Sequence, residues 1–405
     1  MIIKSNIPKS IHQRPIYLDV VKPFIGKQLI KVLTGQRRVG KSYLLFQLME
    51  EINLTDPSAA IIYINKEDLA FSFIQNGNDL NDYVQKEKIS GIKNYIFIDE
   101  IQDIQHFENG LRSLALDENI DIYCTGSNAN LLSGELASYL SGRYIEIPVY
   151  SLSYMEFIDF HKLTNNNETV EKYLKYGGLP YLIHLPLQDH IVFEYIKNIY
   201  QTILYKDIIQ RHGIRNIHFL EKLVQFLANN IGSLFSSKKI SDSLKSQGTK
   251  LAPNQVQAYI KHLTDAFIIH KVERYDIVGK RIFETSEKYY FENLGIRNGI
   301  GGYKPDDKGK LLENVVYNHL LIKGYKVFVG IMHPEEIDFV AEKNGEKLYI
   351  QVALNLIEEK TIEREFGNLL KIKDQYPKMV ITLDEFSGNT YEGIQAISLR
   401  KFLSE

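Results

Sequence analysis

The sequence predicts an α/β fold: a parallel sheet with a helical lid, followed by a winged helix-turn-helix and a second, smaller α/β domain. Three observations predict it. Short apolar runs at 29–34, 60–64, 95–98, 120–125 and 144–147 alternate with longer polar or helical stretches, the rhythm of βα units. A glycine-rich segment lies where the first run meets the amphipathic stretch 41–52, at a strand-to-helix junction. Three helical stretches and then a hairpin pattern occupy 216–302, the order of a winged helix.

Composition narrows the class. At ~150 residues per domain, 405 residues make two or three domains. Hydrophobic residues at 44% and charged residues at 24% exclude disordered and collagenous chains. The single cysteine, Cys124, excludes an intrachain disulfide and a multi-thiolate zinc site; it reads as a small buried apolar residue suited to a reducing compartment. No run approaches the ~18 apolar residues of a membrane span, and the first residues lack the apolar core of a signal peptide, so a cytoplasmic location without membrane contact is expected. With a net charge of −2 the chain is no polycation, and nucleic-acid binding would need a local patch.

Taken in order, residues 1–152 form the first α/β domain. The helical pattern from 153 to 215 is its lid, broken at Tyr176-Gly-Gly-Leu-Pro180, where two glycines and a proline end a helix. Within 216–302, a helix at 253–266 starts with proline in its first turn, and strands at 268–275 and 280–285 flank Asp276-Ile-Val-Gly279. After the Gly/Asp/Lys-rich break 301–309, a helix containing Glu313 leads to strands at 326–329, 337–341 and 348–352, making 303–405 a separate small α/β domain.

The chemistry starts at Gly35-Gln-Arg-Arg-Val-Gly-Lys-Ser42, which fits G-x-x-x-x-G-K-S without deviation. Gly35 and Gly40 permit close backbone approach, so the N–H groups of Gly35, Gln36, Arg37, Arg38, Val39, Gly40, Lys41, Ser42 and Tyr43 are expected to surround the phosphates of ATP at the positive end of a helix. Lys41 supplies a point charge to the β- and γ-phosphates and Ser42 a hydroxyl to Mg²⁺. In Tyr95-Ile-Phe-Ile-Asp-Glu100, an apolar strand ends in two acids: Asp99 to hold the metal and Glu100 to polarise a water for attack. The 60–64 strand is expected to separate these two motifs in the sheet.

This order of motifs resembles an AAA+ ATPase, a P-loop NTPase class. The resemblance implies that Ile122-Tyr-Cys-Thr-Gly-Ser-Asn128 is a sensor-1 strand, with Ser127 or Asn128 touching the γ-phosphate or the attacking water. It implies that Arg143, in Ser141-Gly-Arg143, reaches phosphate in cis or in a neighbour; Arg112, Arg37 and Arg38 are rivals, and no sensor-2 arginine is assigned. More narrowly, the whole chain resembles a prokaryotic family of uncharacterised AAA+ ATPases with a fused winged helix and a restriction-endonuclease-like C-terminal domain. The residues that carry this are Gly35-to-Ser42, Ile98-Asp-Glu-Ile-Gln102, Thr125-Gly-Ser127, Leu140-Ser-Gly-Arg143, Tyr176-Gly-Gly-Leu-Pro180 and Glu336-Ile-Asp-Phe339. A homo-oligomer, or an unknown protein partner, follows from the same resemblance.

Two further surfaces are expected. Residues 231–281 carry nine Lys/Arg against four Asp/Glu, a local excess of five positive charges, which suits duplex DNA. Lys238, Lys239, Lys280 and Arg281 would meet phosphates, and Asn254, Gln255, Gln257 and Lys261 would lie on the recognition helix. In the last domain, Glu313 and Asp338 resemble nuclease metal ligands, but the E-x-K position reads Gln351-Val-Ala353. The second carboxylate and the lysine are therefore missing, and a degenerate, non-cleaving domain is expected. The functional expectation is an ATP-hydrolysing protein that couples nucleotide state to DNA or a partner. The alternatives are a slow nucleotide-dependent switch and an ATP-controlled nuclease.

Overall fold

The computed structural model describes residues 8, 10–129, 140, 142–246, 248, 251–384 and 390–405, which divide into two compact units. The first comprises Met1–Tyr150 with Asp265–Phe267, the second Ser151–Thr264 with Ile268–Glu405.

Unit 1 alternates strands and helices: α1 (Pro15–Val21), β1 (Ile30–Thr34), α2 (Lys41–Thr55), β2 (Ala60–Asn65), α3 (Gly77–Glu87), β3 (Asn94–Asp99), α4 (Phe107–Leu114), β4 (Ile120–Gly126) and β5 (Tyr144–Pro148). Every strand pair is parallel, in the order β2-β3-β4-β1-β5. Because helices cover both faces, the strands are apolar on both sides. Ile96, Ile98 and Ile122 pack with Leu80, Val84 and Leu111 of α3 and α4. Their strand neighbours Tyr95, Phe97 and Tyr123 turn to the other face and meet Leu45, Met49 and Ile52 of α2. This order corrects one expectation: the strand inserted between β1 and β3 is β4, whereas the 60–64 strand lies at the sheet edge as β2. Hydrophobic runs give strand existence, but order depends on which crossovers pack.

In unit 2 the helices α5 (Tyr154–His161), α6 (Asn167–Tyr176) and α7 (Asp189–Thr202) come first, followed by α8 (Ile217–Asn229), α9 (Ser237–Ser246) and α10 (Pro253–Asp265). Ser153 caps α5 reciprocally with Glu156, and α6 stops at Gly177 with φ +69°, as the Gly-Gly-Leu-Pro run requires. A hairpin follows, β6 (Ile269–Asp276) and β7 (Arg281–Phe291), then α11 (Leu294–Gly301), α12 (Lys308–Ile322), β8 (Lys326–Met332), β9 (Glu335–Lys343), β10 (Glu346–Ala353), α13 (Glu359–Leu370), β11 (Lys378–Thr382), β12 (Thr390–Tyr391), β13 (Ile394–Ser398) and α14 (Leu399–Ser404).

The hairpin expected after the three helical stretches is present, and it does not stand by itself. It forms one edge of an eight-stranded sheet, β12-β13-β11-β10-β9-β8-β6-β7, in which β6 runs parallel to β8. Strand β7 continues to Phe291, burying Tyr289, Tyr290 and Phe291, so hairpin and last domain share a sheet. Within the 301–309 break, Asp307 pairs with buried Arg297 at 2.5 Å. Residues 151–264 and 268–405 group in one compact unit, which takes in most of the expected lid 153–215, winged helix 216–302 and small domain 303–405.

Candidate nucleotide-binding site

The phosphate loop leaves β1 and enters α2. Gly35 has φ +147°, and a Cβ there would stand 2.1 Å from the Val149 carbonyl oxygen, so only glycine fits. Gly40, at φ +97°, caps α2 in the left-handed region and turns the loop into the helix. Lys41 is buried, and its ammonium donates to the carbonyls of Gly35 at 2.8 Å and Gln36 at 3.0 Å, which holds the charge across the mouth of its own loop. Ser42 follows in the first turn and hydrogen-bonds Asp99. Gln36, Arg37 and Val39 are buried, Arg38 and Tyr43 are exposed, and Arg37 is paired with Glu67 at 2.9 Å.

Asp99 and Glu100 stand at the end of β3. Asp99 accepts from Thr125 Oγ1 at 2.5 Å and from Tyr63 Oη at 3.1 Å, so neighbouring strands fix its carboxylate. Burial raises the Asp99 pKa against the hydrogen bonds of Thr125 and Ser42; nearby Glu100 raises it further and the Lys41 charge lowers it. The Ser42 hydroxyl and the Asp99 carboxylate are hard oxygen donors in direct contact, a set that suits Mg²⁺. Glu100 has φ +59°, a left-handed conformation that costs a non-glycine residue about 1–2 kcal/mol. That turn brings its carboxylate to Ser127 Oγ, 3.2 Å away, and to Gln102 Nε2. Burial pushes the Glu100 pKa up, but the charges of Lys41 and Arg37 with hydrogen bonds from Gln102 and Ser127 hold it below the ordinary range, so the group is an ionised acceptor at neutral pH.

The structure thus brings together Lys41, Ser42, Asp99, Glu100 and Ser127; Asn128 is buried beside Ser127 at the end of β4. Arg143 is not gathered with them. It is exposed and precedes β5, and the register Ile30↔Tyr144 and Thr34↔Pro148 puts it at the sheet edge opposite the phosphate loop, four residues or about 13 Å along the strand. A role for Arg143 in cis is therefore corrected, and Arg112 is likewise exposed, on α4. Ser141 lies outside the described residues. Sequence reasoning missed Tyr63, Gln102 and Arg14 as contributors. Arg14, 2% exposed, donates to the Val39 carbonyl at 2.9 Å and so braces the phosphate loop from the segment before α1.

Residues 27–158 match the family model of an AAA domain, which takes in the phosphate loop, Asp99, Glu100 and Ser127. An uncharacterized protein of Haemophilus influenzae is 37% identical over 397 residues, 96% of this chain and 98% of that one. The chain belongs to this AAA-domain family. An uncharacterized protein of Methanocaldococcus jannaschii is 30% identical, covering 92% of this chain and 85% of its own. Residues 167–307 of this AAA protein match a domain of unknown function. Among solved structures, a Walker-type ATPase of Pyrococcus abyssi superposes with a TM-score of 0.49 at 17% identity, over 72% of this chain and 96% of that one, too loosely to place residues. The AAA assignment makes this an ATP-binding protein of the P-loop class, and among the described residues no helix is long and apolar enough to cross a membrane.

In unit 2, Lys238 and Lys239 are exposed on α9, and Asn254, Gln255, Gln257 and Lys261 are exposed on α10, whose Val256, Ile260 and Leu263 face inward. Lys280 and Arg281 are exposed at the hairpin tip; Lys250 lies outside the described residues. Gln255 uses its amide oxygen on the Ala252 N–H, at 3.4 Å, at the start of the helix. The E-x-K position of the last domain holds no lysine, but a lysine from the preceding hairpin reaches its carboxylates. Lys288 of β7, nearly buried, sits 2.8 Å from Glu313, 2.7 Å from Glu336 and 3.8 Å from Asp338. Gln351, in place of a carboxylate, accepts from the Asp338 N–H at 2.6 Å and donates to Glu365 at 2.9 Å. Among the described residues no group of three His, Cys, Asp or Glu side chains is arranged to hold a metal ion.

Proposed function

We propose that this protein is an Mg²⁺-dependent ATP hydrolase whose nucleotide state is coupled to duplex DNA or to a protein partner. The observation that carries this reading is the joining of Lys41, Ser42, Asp99, Glu100 and Ser127 at one rim of a parallel sheet. Loop amides and the Lys41 ammonium bind the phosphates. Ser42 and Asp99 hold Mg²⁺, which when bound neutralises charge on the phosphoryl oxygens. Glu100, kept ionised, takes the proton of the attacking water, and Ser127 orients its carboxylate.

Coupling to DNA is supported by the exposed cations of α9 and the hairpin tip, and by exposed Asn254, Gln257 and Lys261, spaced at helical intervals on α10. The exposure of Arg143, away from its own phosphate loop, supports a role toward a neighbouring copy. The order α12, β8, β9, β10, α13, β11 supports the restriction-endonuclease-like reading of the last domain. Its non-cleaving character is supported by the neutral Gln351 and by the Lys288 ammonium, which stands among the carboxylates that would otherwise receive a cation.

Turnover by Glu100→Gln tests the assignment. It keeps ATP binding and loses turnover by about 10²- to 10⁴-fold; unimpaired turnover removes Glu100 as the base. Measured with and without duplex DNA, a stimulated wild-type rate supports coupling, whereas a flat and very slow rate favours the nucleotide switch.

A further inference from the structure

Gln102 lies in the single 3₁₀ turn Ile101–Asp103 that follows Glu100. Its Nε2 donates to Glu100 Oε2 and lies 3.3 Å from Ser127 Oγ. The orientation of this amide is settled by chemistry: turned over, its carbonyl oxygen would face the Glu100 carboxylate, two acceptors with no proton between them. The carbonyl oxygen that results, Gln102 Oε1, is buried and has no hydrogen-bond donor among the described residues. A buried acceptor left without a partner is uncommon and is a place for a bound water to donate. One amide carbon carries both atoms, so a single water on the side shared by Oε1 and Nε2 can donate to Oε1 and to the Glu100 carboxylate together.

We propose that Gln102 is a further catalytic residue of this site: its amide N–H fixes the Glu100 carboxylate, and its carbonyl oxygen holds one hydrogen of the attacking water while Glu100 takes the other. The proposal rests on the hydrolytic reading above. In the step it serves, the water oxygen bonds to the γ-phosphorus, the bond from that phosphorus to the bridging oxygen breaks, and its electron pair leaves with ADP. The water proton passes to Glu100, and the products are ADP, inorganic phosphate and a proton. The left-handed backbone at Glu100 serves this arrangement, since it brings the carboxylate of residue 100 and the amide of residue 102 to the same side of the chain.

The test compares wild type, Glu100→Gln, Gln102→Met and the double variant of the full chain, reading kcat and KM for Mg²⁺-ATP and the ATP dissociation constant by calorimetry. Gln102→Met is expected to lower kcat by about 100-fold with ATP affinity changed less than about threefold, because it removes orientation of the water and base and leaves the phosphate contacts intact. The double variant is expected to be no slower than Glu100→Gln alone, since the two side chains act as one unit. If Gln102→Met does not fold, Gln102→Glu, of the same shape but without the donor, takes its place with the same expected loss. A kcat within threefold of wild type, or losses that multiply in the double variant, overturns the role of Gln102. If wild type itself binds ATP and turns none over, hydrolysis falls and this proposal with it; if wild type is active, Glu100→Gln slow and the Gln102 variant normal, only this proposal falls.

Discussion

His319 sits within α12 with its ring centroid 4.8 Å from that of Phe402, and its Nδ1 is buried with no hydrogen-bond partner among the described residues. Burial, helped by the Lys323 charge, pushes its pKa down to about 3. The sign of the consequence follows from linkage. Between the unfolded value of ~6.5 and about 3, the unfolded chain takes a proton that the folded ring refuses, so stability is full above ~6.5 and falls as the pH drops. The loss is about 2 kcal/mol by pH 5. His161, pushed to about 4 by burial, adds to the same acid limb. Urea melts of His319→Leu at pH 7.5 and pH 5 are expected to show a clearly smaller loss between the two than wild type; an unchanged loss would place the acid sensitivity elsewhere. Legibility differs among single residues. Lys41, Ser42, Asp99 and Glu100 were readable because the chemistry demands those types at fixed spacing beside strand ends. Gln102 was on the page as part of the Asp-Glu-Ile-Gln run, yet its role depends on a left-handed backbone at Glu100 that no sequence signal announced.

Strands and helices in unit 1 were legible as apolar runs and amphipathic stretches, and β1, β3, β4 and β5 begin or end within a residue or two of expectation. Their order was not. What an element carries to a site is equally hidden when the contact is distant in sequence: Lys288 on β7 reaches Glu313 on α12 and Glu336 and Asp338 on β9. Motif reading looked for the lysine two residues after position 351 and found Ala353. Three carboxylates gathered without that ammonium would repel one another in a partly buried pocket. Burial and the nearby Glu313 already raise the Asp338 pKa against the Lys288 charge. Lys288→Met is therefore expected to destabilise the protein by about 3–5 kcal/mol in urea denaturation at neutral pH. Adding Glu313→Gln should recover part of it, because one uncompensated charge is then gone. A loss under about 1 kcal/mol, or no recovery, would show that the lysine is not the group that holds these strands together.

At the scale of the molecule, the sequence divides where the chemistry divides. The phosphate loop, the paired acids and Ser127 all belong to unit 1, and the basic module and the Lys288 cluster to unit 2. Sheet pairing across the expected boundary between 216–302 and 303–405 was the least legible part. A hairpin reads the same whether it ends in solvent or adds to a sheet, and pairing of β6 with β8 joins segments about fifty residues apart. The central claim is that the amides of the 35–42 loop and the Lys41 ammonium grip a nucleoside triphosphate. Isothermal calorimetry of the full chain with Mg²⁺-ATP tests it most directly: wild type is expected to give saturable heat at one site per chain, and Lys41→Ala, folded by its melting curve, to give none. No saturable heat from wild type, or equal binding by Lys41→Ala, would contradict it.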